Sequence, residues 1–96
     1  MRLHFVTPAA EEFLAAIEFY DAQRSGLGQE FVEEIERSAE LISTFPSAGV
    51  PGPANTRRIH LRRFPFALVY KATGDLLLVV AVEHQKREPN YWADRR

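Results

Sequence analysis

The sequence contains no cysteine. That absence excludes disulfide staples and thiolate metal sites, and it makes a reducing cytoplasm the expected environment. Long apolar runs are also missing. The longest, Leu76 to Val82, has seven residues, far short of the roughly 20 that a bilayer-spanning helix needs, so no membrane partner is expected. The opening stretch MRLHFVTPAAEEF meets a proline and two glutamates within twelve residues, which leaves no apolar segment for a secretory signal. The three histidines, His4, His60 and His84, lie on separate segments without a metal-ligand pair, and neither metal nor cofactor is expected. Gly26-Leu27-Gly28 lacks the rest of a phosphate-loop pattern, and Ser25, Ser38, Ser43 and Ser47 have no nucleophile-elbow setting.

What remains is an ordinary globular composition. The chain has 96 residues, 46% hydrophobic and 26% charged, which argues against disorder and leaves room for one core, hence one domain spanning residues 1–96. The net charge of −1 conceals an asymmetry. Residues 1–50 hold three basic and nine acidic side chains, a net of −6; residues 51–96 hold nine basic and four acidic, a net of +5. The split predicts one acidic and one basic surface, or simply a solvated acidic helix face beside an unremarkable basic remainder.

Periodicity supplies the elements. Leu3 and Phe5 alternate with His4 and Val6 as a short strand. Thr7-Pro8 reads as an N-cap followed by proline at the first helical position. Phe13, Ile17 and Tyr20 follow at helical spacing, with Leu14 and Ala16 widening the stripe and Glu11 and Glu12 in the first turn, facing the helix dipole. The cluster Ser25 to Gly28 ends that helix near Arg24. A second helix runs from about Gly28 to Phe45, with Phe31, Ile35, Ile42 and Phe45 on one stripe, Leu41 beside it, and Glu33, Glu34, Glu36 and Glu40 on the remainder; Pro46 stops it. Ser47 to Asn55 is loop. From Arg57 the period changes to two: a strand to Arg62, a second from Phe66 to Tyr70, a turn at Ala72 to Asp75, and a third from Leu76 to His84. The third is apolar enough to be covered on both faces. Pro89 to Trp92 closes the chain as a short helical turn. The order β-α-α-β-β-β predicts an α+β fold, a helical hairpin packed on one face of a small antiparallel sheet.

Arg58, His60 and Arg62 alternate along the predicted strand and so point one way, opposite Ile59 and Leu61. Like charges stacked on one face disfavour the strand unless acids pair them or an anion uses them, and nucleic-acid phosphate is such an anion. A solvated face whose charges block edge pairing is the alternative. His84 has a side chain suited to acid–base work near neutrality, or serves as a hydrogen-bonded structural residue. Lys86 and Arg87 suit phosphate or carboxylate. Tyr91 and Trp92 suit base stacking or closure of the core, the latter preferred for Trp92.

At Phe64 to Tyr70 (FPFALVY) and Val80 to Trp92 (VAVEHQKREPNYW) the chain resembles the RelE/ParE toxin superfamily, also called plasmid-stabilisation proteins. Gly26-Leu27-Gly28 with Phe31, Phe45-Pro46 and Arg57-Arg58 agree with it, so the resemblance covers nearly the whole chain. It implies two helices on a sheet, a bacterial toxin–antitoxin system, and a cognate antitoxin whose tail covers the helix hairpin and nearby sheet edge in a heteromeric complex. It implies one of two targets. RelE-like members cut mRNA on the ribosome without metal; ParE-like members poison DNA gyrase and are not nucleases. For the nuclease the matching positions are Arg58, His60, Arg62, Arg87 and Tyr91, with His60 or His84 as acid or base. The position of the family's third-strand arginine holds Ala67, and a methyl group cannot stabilise phosphorane charge. That departure, together with helices of four to five turns, favours the ParE-like reading: a gyrase inhibitor contacting its target through Arg58, His60, Arg62, Lys86, Arg87 and Trp92. A module that binds antitoxin without toxicity is the third reading.

Overall fold

The computed structural model describes residues 2–95. Its elements are strand β1 (Arg2–Phe5), helices α1 (Thr7–Gln23) and α2 (Leu27–Thr44), and strands β2 (Val50–Pro51), β3 (Arg57–His60), β4 (Phe66–Thr73) and β5 (Leu76–His84). The strands form one sheet in the order β1-β5-β4-β3-β2. The expected β-α-α-β-β-β order holds, with the two-residue β2 added from the stretch read as loop. The sheet is mixed rather than antiparallel: β3, β4 and β5 form the expected antiparallel meander, but β1 lies parallel to β5, with Arg2 opposite Leu76 and Phe5 opposite Val79. The long connection from β1 to β5, which includes the helical hairpin, permits that parallel pairing, because a parallel neighbour needs a long crossover.

The hairpin is closed by Asp21. Its Oδ1 accepts the backbone N–H of Gly26 (3.2 Å) and of Gly28 (2.9 Å), two donors otherwise unpaired at the start of α2. Gly26 has φ +91°, a left-handed turn suited to glycine, and a Cβ on Gly28 would stand 2.8 Å from the Ile17 carbonyl oxygen. At the other end, α1 starts differently from the sequence reading. Val6 is the N-cap, with no side-chain bond; Thr7 is already helical, and Glu11 and Glu12 fall beyond the first turn.

The helices bury one sheet face. Phe31 is its centre, with Tyr20, Phe64 and Phe66 at ring-centroid distances of 5.4, 5.1 and 5.2 Å, and Ile35, Ile42, Leu68, Leu77, Val79 and Val82 complete the layer. Burying a side chain of this size contributes roughly 1.5–3 kcal/mol. The apolar stripes are narrower than their spacing predicts. Leu14 and Phe45 are exposed, as is Phe19, since each lies to the side of the face that meets the sheet. The opposite face has its own small cluster, Val69, Val80, Ala81 and Trp92. The chain after β5 doubles back beneath the sheet to supply it, in turns rather than the expected helical turn. That cover explains why β5 is apolar on both sides.

Candidate interaction site

β1 stops at Phe5, so β5 loses its parallel neighbour beyond Val79. A register irregularity lies at the same point: Tyr70 is opposite Val79 and Val69 opposite Ala81, leaving Val80 as the extra residue of a β-bulge. Side chains take over the open edge. The Val82 N–H donates to Glu12 Oε1 at 3.0 Å, and Arg95 Nη1 donates to the Val80 carbonyl at 3.2 Å. Glu12 and Arg95 also pair with each other, Nη1 to Oε1 at 2.9 Å and Nη2 to Oε2 at 3.1 Å. The Tyr91 hydroxyl donates to Glu12 Oε2 at 2.6 Å, and Arg87 Nη1 lies 4.0 Å from the same oxygen. One carboxylate of α1 therefore gathers donors from β5 and from the C-terminal segment.

That convergence sets the electrostatics. Burial pushes the Tyr91 hydroxyl well above the usual phenol range, and its bond to Glu12 and the Glu12 charge push it further. Burial works against the Arg95 charge, but the bonds to Glu12 outweigh it and its pKa rises. The Arg87 guanidinium stacks on the Tyr91 ring, 3.8 Å from the centroid, with Arg95 at 5.0 Å. Arg87 remains 54% exposed, whereas Arg95 is 19% exposed. Arg95 is thus largely consumed within the fold, and Arg87 keeps N–H groups directed at solvent.

Beside this cluster, α1 and the end of β5 enclose a groove of about 370 Å³. Ala15, Phe19 and Phe66 supply apolar walls, and His84, Arg87 and Tyr91 supply polar ones. His84 packs edge-on against Phe66 at 4.9 Å, and its Nδ1 accepts the Lys86 N–H at 3.0 Å. That bond leaves Nε2 to act as the ring's donor. An apolar floor with a cation on its rim suits an apolar side chain carried next to an anion.

The strand-borne trio does not form one basic face. Arg58 points away from the helices but is paired: Nη2 donates to Glu83 Oε2 at 3.3 Å, and Nε lies 2.9 Å from Oε1 without hydrogen-bond alignment. Arg62 is not in the strand at all. β3 ends at His60, the chain bends, and Arg62 lines a second groove with Glu34, Arg37, Leu41 and His60 on the α2 side. The bend is pinned by Glu34, a buried carboxylate that accepts the backbone N–H groups of Arg62 and Arg63. The next arginine, Arg63, is taken up by Glu30 at 2.6 Å; Arg63 and Arg24 hold the Glu30 carboxyl below its usual range. Trp92 offers a partner no surface. It is 1% exposed, and its Nε1 donates to Glu83 at 2.9 Å.

Of the residues singled out in the sequence, His84, Arg87 and Tyr91 come together at one groove. His60 and Arg62 belong to another, Arg58 is balanced internally, and Trp92 is core. Sequence reasoning missed Glu12, Glu34, Glu83 and Arg95. Glu34 is one of five glutamates on α2 with nothing local to distinguish it, and Glu12 and Arg95 are 83 positions apart. Only Glu83 carried a signal, as a carboxylate directly following the seven-residue apolar run of its strand.

Three comparisons bear on identity. The profile of a family described as the ParE toxin of the type II toxin–antitoxin system parDE matches residues 5–89. No curated protein matches in sequence. Among solved structures, a chain from the chromosomal ParDE toxin–antitoxin system of P. aeruginosa superimposes with a TM-score of 0.62 at 14% identity, covering 88% of this chain and 95% of that one. At that identity the likeness speaks for the fold.

Proposed function

The chain belongs to the ParE toxin family of type II toxin–antitoxin systems, and from that premise we propose that it inhibits DNA gyrase in the cytoplasm and is held inactive by a cognate antitoxin. The observation that carries the target-contact reading is Arg87: a half-exposed guanidinium, stacked on Tyr91, at the end of β5. Lys86 is beside it, while Arg58, Arg63 and Arg95 are held by Glu83, Glu30 and Glu12. The contact surface is accordingly drawn around Lys86, Arg87 and Tyr91, with His60 and Arg62 at its margin, in place of a continuous basic sheet. Neutralisation follows from proximity. An antitoxin segment seated in the groove beside Phe19 would lie against Arg87 and Tyr91 and cover them.

The convergence of His84, Arg87 and Tyr91 on one groove supports the ribosome-dependent mRNA nuclease as a second reading. Against it, Ala67 is buried and cannot supply charge to a phosphorane, and His60 lines a different groove. Purified protein in a gyrase supercoiling assay, set beside RNA mapping after induction, separates the two. Inhibition of supercoiling that falls at least tenfold in Lys86→Ala/Arg87→Ala supports the gyrase reading. Codon-positioned mRNA cuts with supercoiling untouched support the nuclease, and normal growth without any antitoxin supports a non-toxic binding module.

A further inference from the structure

We propose that Glu12 is a positioning residue for the C-terminal segment: its carboxylate fixes the Arg87–Tyr91 pair against α1 and so sets the direction in which Arg87 is offered to a partner. The inference rests on the reading of Lys86 to Tyr91 as a contact surface, and it adds a residue that neither composition nor family membership assigns.

Three features carry it. The first is saturation. A carboxylate has about four acceptor positions, and Glu12 meets the Val82 N–H, the Tyr91 hydroxyl and both terminal nitrogens of Arg95, with Arg87 at 4.0 Å. The second is charge. Two guanidinium groups flank the Tyr91 ring, at 3.8 and 5.0 Å. Like charges so close repel, and Glu12 is the anion between them; Asp94 and Glu88, the acids of the segment itself, make no ion pair with them among the described residues. The third is the independence of the neighbouring anchor. Trp92 is held on the far side of the sheet by Val69, Val80 and Ala81 and by its bond to Glu83, without Glu12. Losing Glu12 therefore releases the Tyr91 hydroxyl and the Arg87 and Arg95 guanidinium groups from their shared anion, while the Trp92 cluster, on which the Tyr91 ring also packs, and the Arg95 bond to the Val80 carbonyl keep the segment tethered. A residue that only stabilised the fold would have no such local signature.

The test uses full-length protein carrying Glu12→Gln or Glu12→Ala. Glu11→Gln, exposed and one position away, serves as the control, and Arg87→Ala reports on the contact surface itself. The first measurement is amide hydrogen exchange with Trp92 fluorescence. Exchange at the Val82 amide should rise roughly ten- to a hundredfold in Glu12→Ala, as expected when a hydrogen bond to a charged group is lost, with Trp92 emission still that of a buried indole. Restricted rotation of the Arg95 guanidinium, whose two terminal nitrogens donate to Glu12, should be relaxed in Glu12→Ala when read in ¹⁵N spectra and kept in Glu11→Gln. The second measurement is gyrase inhibition, which should fall in Glu12→Ala about as far as in Arg87→Ala. If Arg87→Ala inhibits like the parent, the contact-surface reading fails, whatever Glu12 does. If Arg87→Ala loses inhibition but Glu12→Ala leaves both exchange and inhibition unchanged, the positioning role is overturned. Should Glu12→Ala not fold, Glu12→Gln decides on the same readouts. Global unfolding of both variants overturns the proposal, because Glu12 would then be a determinant of the whole fold.

Discussion

Removing the Glu34 carboxylate tests whether a single buried acid shapes the bend after β3. Glu34 is 5% exposed, on the sheet-facing side of α2, and accepts the N–H of Arg62 and, at 3.1 Å, that of Arg63. Hydrogen bonds to a charged group contribute about 1.5–3 kcal/mol each. The carboxylate's own desolvation offsets part of the pair, so Glu34→Ala should lose about 2–4 kcal/mol. Glu34→Gln keeps one acceptor oxygen and should lose about half as much. A domain of this size shifts by about 4–8 °C per kcal/mol, so near the middle of that range the alanine variant should melt roughly 12–24 °C lower. Glu33→Ala, one position along and exposed, should stay within about 0.5 kcal/mol of the parent. Urea unfolding followed by circular dichroism gives both numbers, with an unchanged m-value as the check on a common denatured state. Equal, small losses at positions 33 and 34 would refute the assignment and return the bend to local loop chemistry.

Two further outcomes follow from other parts of the molecule. Because burial and Glu12 raise the Tyr91 pKa above its unfolded value of 10.0, the fold favours the neutral phenol: this contribution is complete below about pH 10 and is lost as pH rises towards the folded value. Urea melts from about pH 9 to about pH 11 should therefore show a decline that Tyr91→Phe flattens; an equal decline in both proteins would put the effect elsewhere. In the hairpin, Gly28→Ala should cost about 1–3 kcal/mol, since its Cβ meets the Ile17 carbonyl and Asp21 at 2.8 and 2.9 Å. Gly26→Ala meets no atom within 4 Å and should cost only about 1 kcal/mol of left-handed strain. Thermal melts that rank the two the other way would refute the packing argument.

The sequence by itself determined the elements and their order, because the signals are local. Apolar residues at helical spacing around Phe31, the shift to period two at Arg57, and the Ser25 to Gly28 and Ala72 to Asp75 turns each act within a few positions. Family resemblance was equally legible, since FPFALVY and VAVEHQKREPNYW are contiguous strings. Only the tertiary structure decided which charges are spent inside the molecule and which stay outside. Arg58 and Arg87 look alike along the chain, yet one reaches Glu83 across the intervening strand β4 and the other overhangs a groove. Arg62 left the predicted basic face because a glutamate 28 positions earlier holds its backbone. Glu12 became a clamp because β1 ends opposite Val79 and leaves the rest of β5, Val80 to His84, without a strand on that edge. Such pairings join residues tens of positions apart, and electrostatic attraction depends on distance through space, which linear order does not encode.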